Sequence, residues 1–183
     1  MPADQKMDAI TLLKADHRKV EGLFEDYEGS KGKASKQKLA TTICTELLIH
    51  TTIEEEIFYP ACQGHIEDDL EHEAYVEHDG AKTLIAELLG STPEDPFFDA
   101  KVKVLSEQIK HHVKEEEKRS EGMFAQARAA GLDVDALGEK MAMRKKVLAG
   151  EFKKNGLPTP ATRSFNGAKV GRSKPVAEAP KAA

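Results

Sequence analysis

Cysteine is nearly absent from this 183-residue chain, tryptophan is wholly absent, and long apolar runs do not occur. Cys44 and Cys62 form neither a C-x-x-C pair nor a secreted-type array. That excludes a disulfide framework and a zinc knuckle and leaves two ordinary reduced thiols. With no Trp and only ten Phe and Tyr together, the expected core is Leu, Ile and Val on helices rather than an aromatic-rich sheet. Period-two alternation is missing as well, so no strand competes. No stretch approaches the roughly 18 apolar residues of a membrane span. The opening MPADQKMDAI has no basic segment followed by an apolar one. The expected location is cytoplasmic, with no membrane partner. Walker A, dinucleotide-type glycine patterns and H-E-x-x-H are all lacking, which removes the nucleotide and zinc-protease readings.

Charge is present but unevenly spread. Residues 155–183 hold five basic side chains (Arg163, Lys169, Arg172, Lys174, Lys181) against Glu178 alone, a net of +4 in a chain whose total is −5; the rest therefore carries −9. Four of the eight prolines fall in the same stretch and aliphatic residues thin out, so residues 155–183 are expected to form a disordered Ala/Pro/Lys-rich tail. Its charges are sparse and lack interleaved aromatics, which argues against nucleic acid as a partner.

Ahead of the tail, apolar residues recur at steps of three and four, the period of amphipathic helices. Residues 7–28 carry Ile10, Leu13, His17, Val20, Phe24 and Tyr27 on one stripe. Residues 36–59 carry Leu39, Ile43, Leu47, His50, Glu54 and Ile57, with Pro60 expected to close the helix. Residues 67–89 give Ala74, His78, Ala81, Ile85 and Leu88, and residues 96–130 give Phe98, Val102, Leu105, Ile109, His112 and Glu116. A helix over 134–154, with Leu137, Met141, Leu148 and Phe152 but no histidine, is expected to pack outside the other four. The reading is an all-α, antiparallel four-helix bundle over 7–130, an accessory helix over 131–154, and the tail.

Four histidines and two glutamates thus sit in phase with core residues. Residues four apart on an α-helix project to nearly the same side, about 6 Å apart along the axis, so His50 with Glu54 and His112 with Glu116 can each chelate a cation. A lone core histidine is usually just hydrogen-bonded, and glutamate runs such as Glu54–Glu56 and Glu115–Glu117 are usually solvated faces. Burying four imidazoles and two carboxylates together, with no Lys or Arg on the stripes, costs several kcal/mol per uncompensated group. A metal offsets that cost. Imidazole and carboxylate without thiolate suit iron, with manganese or zinc as alternatives. No histidine has a glutamate three residues before it, so the E-x-x-H signature of ferritin-like bundles is absent. His65, His72 and His111 fall off the stripes and read as surface or outer groups.

The segments LLKADHRKVEGLFEDYE, HTTIEEEIFYPA, VEHDGAKTLIAEL and FDAKVKVLSEQIKHHVKEEE, taken in order, resemble the hemerythrin-like HHE cation-binding family over residues 10–127. The resemblance implies two non-haem iron ions inside the bundle, bridged by two glutamates and an oxo or hydroxo group. By motif the ligands are His17, His50, Glu54, His78, His112 and Glu116, with Glu55 and Glu56 facing outward. Two departures stand out. Oxygen-carrying hemerythrins have a further histidine four residues before the one matching His78, where this chain has Ala74; Glu21, Tyr75 and Glu77 are candidates for the missing ligand. Those proteins also space the last pair as H-x-x-x-x-D, which points to Glu117, whereas helical phase selects Glu116. The implied role is binding of O2, peroxide or nitric oxide in sensing or stress protection. A peroxide- or nitric-oxide-consuming enzyme and an iron storage or donation protein are the alternatives. Oligomeric state is left open.

Overall fold

The computed structural model describes residues 7–167, and these are all-helical, without a strand. In chain order they form α1 (Ala9–Gly29), α2 (Lys33–Ile53), a π-helix (Glu54–Phe58), α3 (Tyr59–Cys62), α4 (Asp68–Leu89), α5 (Phe98–Glu116), α6 (Met123–Ala129) and α7 (Val134–Asn155). Four of the five long helices, α1, α2, α4 and α5, make an antiparallel bundle in which α1 packs on α2, α2 on α4, α4 on α5 and α5 on α1. As the pattern predicts, α7 lies outside, in the groove between α1 and α2.

The predicted stripes are the buried faces. On α1, Ile10, Leu13, His17, Val20, Phe24 and Tyr27 are all buried, and so are Ala74, His78, Ala81, Ile85 and Leu88 on α4. The apolar part divides into two clusters. One gathers Leu13, Ile53, Phe58, Tyr59, Tyr75, Phe124 and Met141; the other gathers Val20, Phe24, Ile43, Leu47, Ile85 and Leu105. The histidines fall in sequence between members of the two, so a polar layer separates two apolar halves. Cys44 and Cys62 are buried and free, and burial pushes both thiols up to about 12, which keeps them protonated.

Three sequence expectations need correction. Pro60 does not end the second helix: the chain winds through a π-helix and continues as α3 to Cys62. The π-helix takes up an extra residue, and Pro60 then falls in the first turn of the new α-segment, where its missing N–H is not needed. The fourth helix does not run to residue 130 but stops at Glu116. Gly122 brings the chain back against that end; a Cβ on it would lie 2.5 Å from Glu116 O and 2.6 Å from Glu115 O, so only glycine fits. α6 follows and plugs the bundle with Met123, Phe124 and Ala127. The third concerns the tail, whose first part is placed rather than loose. Beyond Gly156 (φ +80), which ends α7, the backbone N–H groups of Arg163, Ser164 and Phe165 donate to the buried Asp79 carboxylate at 2.5–3.1 Å. The Arg163 guanidinium lies 4.5 Å over the Tyr75 ring. Residues 168–183 of the predicted tail lie outside the described residues.

Two details fix the start of α1 and its outer helix. Asp8 caps α1, its carboxylate accepting from Thr11 N at 2.9 Å and from Arg128 on α6 at 3.0 Å. Gly138 lets α7 close on that same point, because a Cβ there would run into the Met7 carbonyl and lie 2.7 Å from Ala9 N.

Candidate metal centre

The structure brings His17, His50, Glu54, His78, His112 and Glu116 into one buried layer, none more than 5 % exposed. Each helix of the bundle supplies one ring at mid-length or near its end, which is what a heptad-like stripe interrupted by histidine dictates. His17 Nε2 and His50 Nε2 lie 3.1 Å apart, and so do His78 Nε2 and His112 Nε2. Two carboxylates stand between these pairs. Glu54 Oε2 is 3.1 Å from His50 Nε2 and 3.4 Å from His78 Nε2; Glu116 Oε2 is 3.4 Å from His17 Nε2 and 3.5 Å from His112 Nε2. Each glutamate therefore touches one histidine of each pair. The donor atoms fall into two groups able to hold an ion, His17/His50/Glu54/Glu116 and Glu54/His78/His112, with Glu54 common to both.

The outer nitrogens are held by carboxylates. His17 Nδ1 meets Glu117 at 2.8 Å, His78 Nδ1 meets Glu55 at 2.9 Å, and His112 Nδ1 meets Glu77 at 2.7 Å. A carboxylate accepts, so each of these rings carries an N–H on Nδ1, and in the neutral ring the Nε2 lone pair points inward, the tautomer that binds a metal. His50 Nδ1 faces Asp16 at 3.8 Å without a hydrogen bond. These carboxylates are themselves held: Glu55 by Lys82, Asp16 by Lys145 on α7, and Glu117 by Arg18.

The protein groups alone do not satisfy one another. Both oxygens of Glu54 and Oε2 of Glu116 are buried without a hydrogen-bond partner. Burial, then the facing Glu116, drives the Glu54 carboxyl well above its ordinary range. Burial pushes Glu116 up too, but the charges of His112, His17 and His50 outweigh it and hold that carboxyl down at about 2. Burial lowers the histidines: His50 to about 4, aided by the charge on His17 against a contribution from Asp16, and His78 well below its usual value, aided by His112 and His50. His17 is the exception, raised to about 8 because the adjacent carboxylates of Glu116 and Glu117 outweigh the effect of burial. One carboxyl forced neutral beside another forced charged, with imidazoles crowded nitrogen to nitrogen, is a donor set that a cation completes. The residues present fit such an ion.

Sequence reasoning misplaced several neighbours. Tyr59, which the sequence stripes leave out, reaches the centre: its hydroxyl donates to Glu116 Oε1 at 3.0 Å and lies 3.2 Å from His78 Nε2. Burial, then Glu116 and Glu54, raise its pKa well above that of a free phenol, so it stays protonated. Its place five residues after Glu54 has meaning only once the π-helix is known, since positions i and i+5 are neighbours there and Tyr59 N bonds Glu54 O. Glu55 does not face outward but holds His78. Glu116 is the inward glutamate of its run and Glu117 the outer support of His17. Among candidates for the missing ligand, Glu21 pairs with Arg18 at the surface at 3.3 Å, Glu77 stands behind His112, and Tyr75 packs edge-on against Tyr59. His65 and His72 are exposed and away from the site.

A helical bundle with histidine and carboxylate side chains turned inward fits a cation-binding protein of the four-helix class. Residues 8–124 match the hemerythrin HHE cation binding domain, and the chain belongs to that family. A DNA nickase from Nostoc sp. (strain PCC 7120 / SAG 25.82 / UTEX 2576) is 28% identical over 113 residues, which cover 62% of this chain and 32% of that protein. The chain thus spans about a third of that relative's length. The crystal structure of a hemerythrin HHE cation binding domain-containing protein from Mycobacterium kansasii superposes with a TM-score of 0.68 at 23% identity, covering 82% of this chain and 95% of that one. That likeness supports the shared fold.

Proposed function

We propose that this chain is a non-haem di-iron protein that binds O2 or a related small oxidant, peroxide or nitric oxide, in sensing or stress protection. The observation that carries the reading is the shared position of Glu54 and Glu116, each within 3.5 Å of one histidine from either pair, as bridging between two ions requires. His17, His50, Glu54, His78, His112 and Glu116 are the proposed ligands. Two ferrous ions held there would supply the electrons on which binding or reduction of an oxidant depends. Manganese or zinc would accept the same nitrogen and oxygen donors.

The chain's own residues set what can approach. Beside the histidines lies a cavity of about 10 Å³, walled by Val20, Leu47, Ile109 and Val113, room for one water-sized molecule. Its apolar wall favours a diatomic ligand over bulk water. Tyr59 keeps a proton within 3.0 Å of Glu116. That proton favours a second reading, an enzyme that reduces peroxide or nitric oxide. Steady consumption of peroxide that falls in Tyr59→Phe would mark turnover; uptake of one equivalent and no more marks binding.

The deciding experiment is metal analysis of the purified chain and of Glu54→Ala and Glu116→Ala. Two irons per chain are expected in the parent, with both lost together in either variant. Full two-iron loading in Glu54→Ala would sink the bridging assignment.

A further inference from the structure

Three of the four carboxylates behind the histidines have a cation of their own. Glu117 has Arg18 at 2.7 Å and Lys14 at 3.9 Å, Glu55 has Lys82 at 2.6 Å, and Asp16 has Lys145. Glu77 differs: among the described residues no lysine or arginine pairs with it. One of its oxygens meets His112 Nδ1 at 2.7 Å, and the other lies 3.4 Å from Nε2 of His111. Glu73, one turn earlier on α4, completes a group in which ligand atoms of Glu73, Glu77 and His111 all lie within 4.8 Å of one another. Glu73 and His111 are exposed and Glu77 is half-buried.

Exposed carboxylates are commonly only solvated, so what lies behind this group decides its meaning. Glu73, Glu77 and Glu115 rim a pocket whose other lining includes Ala74, His112 and Glu116. Its volume of about 10 Å³ admits a single water or a small ion. Ala74, with only a methyl group, leaves this gap between α4 and α5 unfilled. Glu116, 3 % exposed, also lines this gap, and its Oε2 is buried without a hydrogen-bond partner. One gap is thus lined both by carboxylates of the surface group and by Glu116 and His112 of the buried layer.

We propose that Glu73, Glu77 and His111 form a surface site for a divalent cation that serves as the entry station of the buried centre. Two carboxylate oxygens and an imidazole nitrogen suit Fe(II), Mn(II) or Zn(II), and three glutamates around the rim concentrate such ions. Few ligands and open solvent keep the hold weak, so the ion can leave inward. Glu77 links the stages, because the carboxylate that grips the ion also holds His112. Passage inward presupposes the di-metal centre proposed above; binding at the surface does not.

The test uses the full chain and the double variant Glu73→Gln/His111→Ala, whose changes are confined to exposed side chains. With the centre already loaded, titration with Mn(II) followed by electron paramagnetic resonance should show an additional bound ion in the parent that is missing in the variant. Identical titrations overturn the surface site. After chelation, reloading with Fe(II) should be slowed by about tenfold in the variant, the scale of electrostatic focusing on association, while the final iron content is unchanged. Equal loading rates overturn the entry role. A parent chain that takes up no iron at the centre, yet binds Mn(II) through Glu73 and His111, would upset the di-metal reading and the passage while upholding the surface site.

Discussion

A histidine offers Nε2 to a cation only when its proton is kept on Nδ1, and at His17, His78 and His112 a carboxylate keeps it there at 2.7–2.9 Å. Such supports typically matter about 10–100-fold in metal affinity. Glu55→Ala and Glu117→Ala are therefore each expected to weaken metal retention by roughly that factor. Glu56→Ala, which loses only the exposed pair with Arg144, should leave it unchanged. Competition against a chelator of known affinity reads the difference, and equal retention in all three variants would contradict the supporting role. Helical phase made the inner residues legible, since a ligand must occupy a position that packing would otherwise give to Leu or Ile. The supports were illegible because they approach from neighbouring helices. Glu77 holds a ring on α5 and Glu117 a ring on α1, and sequence alone does not say which helices are adjacent. Three glutamates in a row then read as a solvated face.

Among the elements, the π-helix is the one the pattern hid most completely. Its extra residue turns Phe58 and Tyr59 into the buried positions and leaves Ile57 half-buried, against a stripe of strict three and four. No residue type in E-E-E-I-F signals that change of pitch; it follows from Glu54 and Tyr59 both reaching the same centre. The end of α5 was misjudged for a related reason, because Gly122 acts through contact with backbone atoms four to seven residues away in the folded turn. The start of α1, in contrast, rests on ordinary capping. Burial raises the Asp8 carboxyl, but the Thr11 amide and Arg128 outweigh it and hold the group below the usual range of an aspartate. A carboxyl depressed in the folded state adds stability that is fully present above its unfolded pKa and lost as pH falls through the folded value. Asp8→Ala should thus cost about 1 kcal/mol at neutral pH. In urea melts the gap between parent and variant should close in acid below the usual carboxylate range. A gap that persists there would mean that the cap acts through something other than its charge.

On the scale of the whole molecule, the layer of histidines and glutamates divides the apolar interior in two, so the bundle is weakest where it is most polar. A cation that binds only the folded chain adds about 4 kcal/mol when present at 1,000 times its Kd. For a chain of this size that corresponds to a melting temperature higher by roughly 10 °C. Thermal melts before and after exhaustive chelation should show a drop of that order; an unmoved transition would place the ions elsewhere. The chain after α7 bears on the same region. Arg163, Ser164 and Phe165 spend their amides on Asp79, the residue next to His78. Amide hydrogen exchange resolves proteins into units that open together. By tying three amides of the C-terminal segment to the middle of α4, the Asp79 carboxylate makes the two stretches one such unit, although more than eighty positions separate them in the chain. Protection of the Phe165 amide is then a remote gauge of how often α4 opens beside His78.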